Sequence, residues 1–479
     1  MITLTLALLF LIVGYFTYGG LVNRIFGPDN RPTPALTMAD GVDYVPLPIW
    51  KIFMIQFLNI AGLGPIFGAI MGAQFGTASF LWIVLGTIFA GGVHDFFSGA
   101  LSIRNNGESL PELIGRYLGH RTKNIVVVFT MVLMILVGAV FISGPAELLA
   151  SMTPGTLDVM FWIVVIFVYY VLATLLPVDK IIGKIYPLFA IALLFMAIGV
   201  LIMLYVKQVD LPEMWTGFGT KYAKDPIFPM MFISIACGAI SGFHATQSPL
   251  MARCMVHEKY ARPVFYGAMV TEGIVALVWA AAATYFFHEN GIVDAATGRE
   301  YTAAYVATTI SNDWLGKVGG VLALLGIVAA PITSGDTALR SARLITADFF
   351  GINQHSMKSR LLLCAPIFLL TIGVLLFSLK DVAGFRIIWR LFAWCNQGLS
   401  VFTLWAITVY LVKEKKNYFI TLLPALFMTV VCITYICMAN AGFGLSQPVS
   451  YSIGLLSLLV SIGWFICWYR KQNCKNEKI

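Results

Sequence analysis

Charge is what this sequence has least of. Asp, Glu, Lys and Arg make up 11% of its 479 residues, against about 25% in a soluble globular chain. A mean hydropathy of +0.85 points the same way. That shortage excludes a soluble enzyme or binding domain as the body of the protein. The eight cysteines show no C-x-x-C spacing and nearly all fall in or beside apolar runs, which excludes a disulfide framework and a cysteine zinc site. No G-x-x-x-x-G-K-[ST] loop occurs, so nothing here is built to cradle ATP phosphates. No cofactor is implied.

What the chain has is apolar length. Thirteen segments reach the roughly 20 residues that a membrane helix needs, centred near residues 12, 59, 89, 134, 167, 194, 237, 276, 325, 370, 398, 429 and 460. The first, residues 1–22, has no Lys or Arg before its apolar run and no A-x-A site after it, so it reads as a retained helix rather than a signal peptide. With the N-terminus outside, the cytoplasmic loops carry 23 of the 31 Lys and Arg, the outer loops carry seven, and Arg390 lies within a span. Positive charge gathers on the cytoplasmic side of membrane proteins, so this bias sets the topology as N-out and C-in. It also accounts for the net charge of +8 without a nucleic-acid partner. The basic tail, Arg470 to Lys478, is suited to anionic membrane lipid. No sequence signal bears on the oligomeric state.

Two of the segments are poor helices. The second meets Asn59-Ile60-Ala61-Gly62-Leu63-Gly64-Pro65 at its middle, and the seventh contains Gly238, Ser241, Gly242, His244, Thr246, Gln247, Ser248 and Pro249. Interruptions are expected near Gly62 to Pro65 and near Gly238 to Gly242. Non-helical backbone at membrane depth persists only where protein or a water-filled cavity satisfies its polar groups, so the breaks imply a cavity. They also echo each other: Ile60-Ala61-Gly62 and Ile235-Ala236-Cys237-Gly238 lie 175 residues apart, as Ser143-Gly144-Pro145 and Ser334-Gly335 lie 191 apart. Five spans separate each pair, and an odd number inserts the two halves in opposite senses, as an inverted repeat requires. The expected organisation is a leading helix and cytoplasmic loop (1–46), a first five-helix repeat (47–206), a second inverted one (228–412), and two trailing helices with a basic tail (413–479). This all-α polytopic membrane architecture resembles the LeuT-like fold of the amino acid-polyamine-organocation superfamily.

An ionisable side chain at mid-span costs about 2.5–3.5 kcal/mol on insertion scales and so faces a cavity or a partner. His94 and Asp95, within Gly91-Gly92-Val93-His94-Asp95-Phe96, read either as a proton-titrating pair or as a hydrogen-bonded clamp. A metal-dependent phosphohydrolase with a His-Asp dipeptide would need further ligands, and of six histidines only His94 and His244 lie deep. Ser241, His244 and Ser248 share a helical face with Gln247 beside them, which suits either a ligand or proton role or a satisfied structural histidine. Glu272 stands alone some six residues into the eighth span, where it either snorkels or carries a proton. Thr333 and Ser334 offer hydroxyl oxygens which, with loosened carbonyls from Ala61 to Gly64, suit a sodium ion. Asp336 and Arg340 are spaced i, i+4 as an intrahelical ion pair at the cytoplasmic mouth. Arg390, entering from the outer side, either attracts an anionic substrate or snorkels. Ser109-Leu-Pro-Glu112 reads as a capping box that opens a short surface helix.

Four runs resemble the carbon starvation A family of bacterial membrane proteins: Gly64-Pro65-Ile66-Phe67-Gly68-Ala69, His94-Asp95-Phe96-Phe97-Ser98-Gly99, Ser241-Gly242-Phe243-His244-Ala245-Thr246-Gln247-Ser248-Pro249 and Ile332-Thr333-Ser334-Gly335-Asp336-Thr337-Ala338. The likeness extends from about residue 3 to residue 400, and the chain looks like a short form of that family. It implies a bacterial inner-membrane transporter for peptides or for pyruvate taken up with protons, active in carbon starvation, and not an enzyme. On that footing the expected substrate contacts are Gly62, Gly64, Pro65, Ser241, Gly242, His244, Thr246 and Gln247. The coupling candidates are His94, Asp95, His244, Glu272, Thr333, Ser334 and Asp336, with Arg340 and Arg390 as gates. The coupling ion is expected to be the proton, with sodium at Ala61, Gly64, Thr333 and Ser334 as the alternative. A nutrient sensor without net transport is the competing reading, although no soluble output domain is visible.

Overall fold

Unbroken apolar runs become helices at membrane depth because a helix satisfies each backbone N–H and C=O internally, where no water can. The computed structural model describes the chain apart from residues 42, 154, 176–177, 220–224, 295–297, 299, 355, 380–381 and 477–479. Lys221, Lys224, Arg299, Lys380 and Lys478, used in the charge count above, lie outside the described residues.

The chain opens with α1 (Ile2–Phe26), then α2 (Ile49–Ile60) and α3 (Gly64–Phe75), two halves bent by 53°. Next come α4 (Ala78–Arg104), the short α5 (Leu110–Leu118), α6 (His120–Met152), α7 (Val159–Leu175) and α8 (Val178–Val206). A second interrupted segment follows, with α9 over residues 227–234 and α10 at His244–Ala252. The rest is α11 (Glu258–Asn290), α12 (Ala303–Phe350, kinked at Gly316), α13 (Met357–Ser378), α14 (Val382–Lys413), α15 (Phe419–Met438) and α16 (Gln447–Asn476).

Among the described residues ten helices are long and apolar enough to cross a membrane, or eleven when α2 and α3 count as one span. The sequence leads to thirteen. One shortfall is Val159–Thr174, an apolar helix shorter than the roughly 20 residues of a span. The other is the segment from α9 to α10, whose halves are each too short because residues 235–243 are not helical.

Both interruptions lie where glycine and proline stand. The two broken segments pack against each other at the centre: a side chain on Gly64 would collide with Cys237. Around them α10 packs on α2, α4 and α12, while α3 lies against α11, and α9 against α14. α15 covers α14, and α16 in turn covers α15. Only 17% of the apolar window of α16 is buried, so that helix offers its surface to lipid.

Between α4 and α6 the short α5 forms as expected but without the capping box. Ser109 makes no cap hydrogen bond, and Glu112 turns instead to Lys123, 2.6 Å away. A charged partner on α6 wins over a neutral backbone N–H because charge-assisted contacts are about twice as strong. Nearby, the buried Glu258 takes Arg104 at 2.6 Å and the backbone N–H of Asp29 at 2.8 Å, which ties α4, α11 and the first loop together.

At Gly242 an added side chain would meet backbone atoms of Asn396 and Ser400 on α14, which have no rotamer by which to yield. Gly242→Ala should therefore lower the thermal unfolding midpoint of the detergent-purified protein, at a cost of about 1–3 kcal/mol. Gly373→Ala, in α13 with open space at its Cβ, should leave the midpoint unchanged or raise it slightly, since alanine is the better helix former. Equal midpoints for the two variants would contradict this packing.

Candidate functional site

Three helices bring four titratable side chains into one row. His94 Nδ1 lies 2.8 Å from Asp95 Oδ1, and the other oxygen of Asp95 lies 2.9 Å from His244 Nδ1. His244 Nε2 then faces Glu272 Oε2 at 3.4 Å. All four side chains are fully buried. An ionised carboxylate only accepts hydrogen bonds, so Asp95 engages both imidazoles when each carries its proton on Nδ1. His244 then presents Nε2 to Glu272 at ion-pair distance, without a hydrogen bond between them. Glu272 does not snorkel: it is buried within α11, and its carboxylate makes no hydrogen bond among the described residues. The dipeptide on α4 is thus one end of a longer row.

The second break is held from α14. Asn396 Oδ1 accepts from the Ser241 hydroxyl at 3.0 Å and from the Phe243 N–H at 2.7 Å, while the Asn396 carbonyl accepts from the Gly242 N–H at 3.1 Å. Gln397 Nε2 donates to the Ile240 carbonyl at 2.9 Å, and the Thr87 hydroxyl donates to that of Gly238 at 3.1 Å. Ser241 therefore belongs to the break and not to a helical face shared with His244 and Ser248, because α10 begins at His244. Thr246 donates to the Phe243 carbonyl at 2.6 Å, and Gln247 Nε2 donates to Thr246 at 2.9 Å.

Gly62 sits in the first break and Gly64 and Pro65 open α3, so the expected substrate contacts gather at the two facing interruptions. Gln56 and Asn59, both buried in the last turns of α2, precede the first break. Gln56 Nε2 is 3.5 Å from the Ser248 hydroxyl. The fully buried Asn59 amide finds no hydrogen-bond partner among the described residues. Two amide side chains at i, i+3 directly before a glycine break were the available signal.

On α12 the Ser334 hydroxyl donates to the Leu58 carbonyl at 3.0 Å, which sets it against the first break, whereas Thr333 bonds back to Ala329 and Ala330 of its own helix at 2.9 Å each. Asp336 is bound differently from expectation. Its Oδ2 accepts from Tyr169 at 2.7 Å and Tyr186 at 2.5 Å. Arg340 donates to the Ala173 carbonyl at 2.5 Å and lies 3.9 Å from Asp43, with Arg343 at 4.0 Å from the same carboxylate. Asp43, in the loop before α2, and the two tyrosines carried no distinguishing sequence signal. Arg390 lines a cavity with Asp225, Glu300 and Trp389.

Two facing helix breaks inside a helical bundle define a class. The structure of a Na+-coupled sialic acid symporter in a substrate-bound, outward-open state superposes with a TM-score of 0.59 at 13% identity, covering 94% of this chain and 96% of that one. MhsT in complex with L-phenylalanine gives 0.53 at 15% identity, covering 85% and 98%. The fold is that of the LeuT-fold transporters. The chain belongs to the carbon starvation protein CstA family, whose profile matches residues 1–164, 150–318 and 281–435. An uncharacterized membrane protein of Haemophilus influenzae is 44% identical over 58% of this chain and 89% of its own length. A protein of Bacillus subtilis named peptide transporter CstA is 27% identical, covering 95% of this chain and 94% of that one. One of Escherichia coli named pyruvate/proton symporter BtsT is 26% identical, covering 85% and 76%. The family is one of membrane transporters, and the protein is not an enzyme.

Removing the Asn396 acceptor strands two buried donors, each worth about 1–3 kcal/mol. Asn396→Ala should therefore lower the unfolding midpoint clearly, and Asn396→Asp, which keeps an acceptor at the same place, should recover most of the loss. A midpoint unchanged in Asn396→Ala would show that α14 does not hold the break.

Proposed function

We propose that the protein imports a small carbon nutrient, a pyruvate-like monocarboxylate or a short peptide, across the bacterial inner membrane by proton symport during carbon starvation. The observation that carries this reading is the buried row of His94, Asp95, His244 and Glu272, whose third member opens the half-helix at the second break. Imidazoles and carboxylates in direct contact can hold a proton and pass it along the row, so such a row suits loading and release between the two sides of a membrane. The carboxylate of the substrate lies near Gly64 to Phe67 or Ser241 to Ala245, because a helix N-terminus carries about half a positive charge and favours an anion without a buried Lys or Arg. Gln247 Nε2, which gives one N–H to Thr246, supplies its other N–H as a further donor.

Around this centre, residues 47–206 and 228–412 form two inverted five-helix repeats, between a leading unit (1–46) and a trailing one (413–479), thirteen spans in all with the N-terminus outside. One break in each half and the positive-inside bias support that arrangement. Arg340 with Asp43 closes the cytoplasmic side, and Arg390 stands at the outer one. Sodium is the second reading for the coupling ion, favoured by one contact: Ser334 against the carbonyl of Leu58 at the mouth of the first break.

Uptake of labelled pyruvate and dialanine into proteoliposomes under an inward proton gradient tests the proposal. Wild type should accumulate at least one of them, and Asp95→Asn should reduce accumulation by about a hundredfold, a loss of roughly 2.7 kcal/mol in driving interaction, with substrate binding retained. Thr333→Ala should abolish accumulation only if sodium is the coupling ion. Wild-type accumulation by Asp95→Asn would reduce the His94–Asp95 contact to a structural clamp.

A further inference from the structure

Above the second break lies a cavity of about 170 Å3 whose charged lining is Arg390 on α14 and the carboxylates of Asp225 and Glu300 from the two outer loops. Its walls include Phe75, Met230 and Trp389. Among the described residues none of these three charged side chains takes part in an ion pair. Below, the Trp389 ring lies 6.2 Å from Phe67 and 5.6 Å from Phe392, and the series continues through Phe141 at 5.8 Å to Phe243 at 6.2 Å. Tilted and edge-to-face rings therefore run from the cavity wall to the central breaks, with Phe243 itself inside the second one.

We infer that this cavity is a second ligand site, in the outer vestibule, that takes a zwitterion carrying both a carboxylate and an ammonium group, of the size of an amino acid or short peptide. The inference rests on the proposed import and its orientation, and it distinguishes between the two substrate classes named there. A monocarboxylate placed here meets one cation and two anions. A plain amine meets the guanidinium. A zwitterion satisfies both: guanidinium is a fixed fork matched to a carboxylate, and two carboxylates leave an ammonium with acceptors on more than one side. The apolar walls suit the small side chain between them. Binding here precedes movement of the aromatic floor, so the vestibule selects what reaches the breaks.

Equilibrium binding of radiolabelled dialanine to the purified full chain, with no gradient present, tests this directly. Dialanine should bind about tenfold more tightly, or 1.4 kcal/mol, than either N-acetyl-dialanine or dialanine amide, and pyruvate should compete poorly. Arg390→Gln should erase the advantage over the amide, and Asp225→Asn combined with Glu300→Gln should erase the advantage over the acetylated form. Arg390→Lys, which keeps the charge and loses the fork, should retain part of the preference and guards against misfolding of the glutamine variant. Equal binding of dialanine and its capped forms to wild type, or full preference retained in the variants, overturns the inference. Because the measurement involves no transport, accumulation of pyruvate without zwitterion preference removes the vestibule site alone. Charge-patterned binding without any accumulation removes the import reading and leaves the site standing.

Discussion

A backbone polar group at membrane depth has no water to bond with, and leaving it bare costs several kcal/mol. Two segments of this chain give up helical bonds there, at 61–63 and 235–243, and much of the central architecture can be read as the way that cost is met. Asn396 and Gln397 donate to and accept from the second break. Thr87 reaches it from α4, and Ser334 reaches the end of α2 from α12. The helices that supply these groups are consequently fixed around the breaks, and the small residues between them let the backbones approach. The same unwinding that demands partners places half-helix N-termini at the centre of the bundle, and such termini favour negative charge.

Buried charges follow the same logic. A lone ion in a low-dielectric interior is expensive, and the expense falls when hydrogen bonds and opposite charges surround it. Asp95 sits between two imidazoles, Asp336 under two tyrosine hydroxyls, Glu258 against Arg104, and Asp43 facing Arg340 and Arg343. Of these, the Asp95 arrangement alone is joined on both sides to imidazoles, which can take up or give up a proton. Tyrosine, with a reference pKa near 10, holds a carboxylate in place without exchanging protons with it at physiological pH. Through Tyr169 and Tyr186, Asp336 joins α12 to α7 and α8.

Local signals were legible in the sequence, and distant ones were not. Gly62, Pro65, Gly238 and Gly242 mark both breaks because glycine and proline weaken a helix wherever they stand. The His94–Asp95 dipeptide is equally local. Glu272 is different: nothing near it in the chain shows that His244, on another helix, faces it. Asn396 and Gln397 sat in a plain helical run, and their role exists only because the second break lies alongside. Ser109 and Glu112 had the right spacing for a capping box, yet Lys123 on the next helix captured the acid. Spacing fixes what can meet within one helix, and packing decides what does.

The central claim is that substrate and proton cross together through this row. The direct measurement is the internal pH of unbuffered proteoliposomes, read from a trapped indicator dye, when substrate is added outside with no ion gradient imposed. The account predicts that the interior acidifies as substrate enters, and that a proton ionophore cancels the signal while leaving entry of substrate intact. Substrate accumulating inside with no change of internal pH would contradict it.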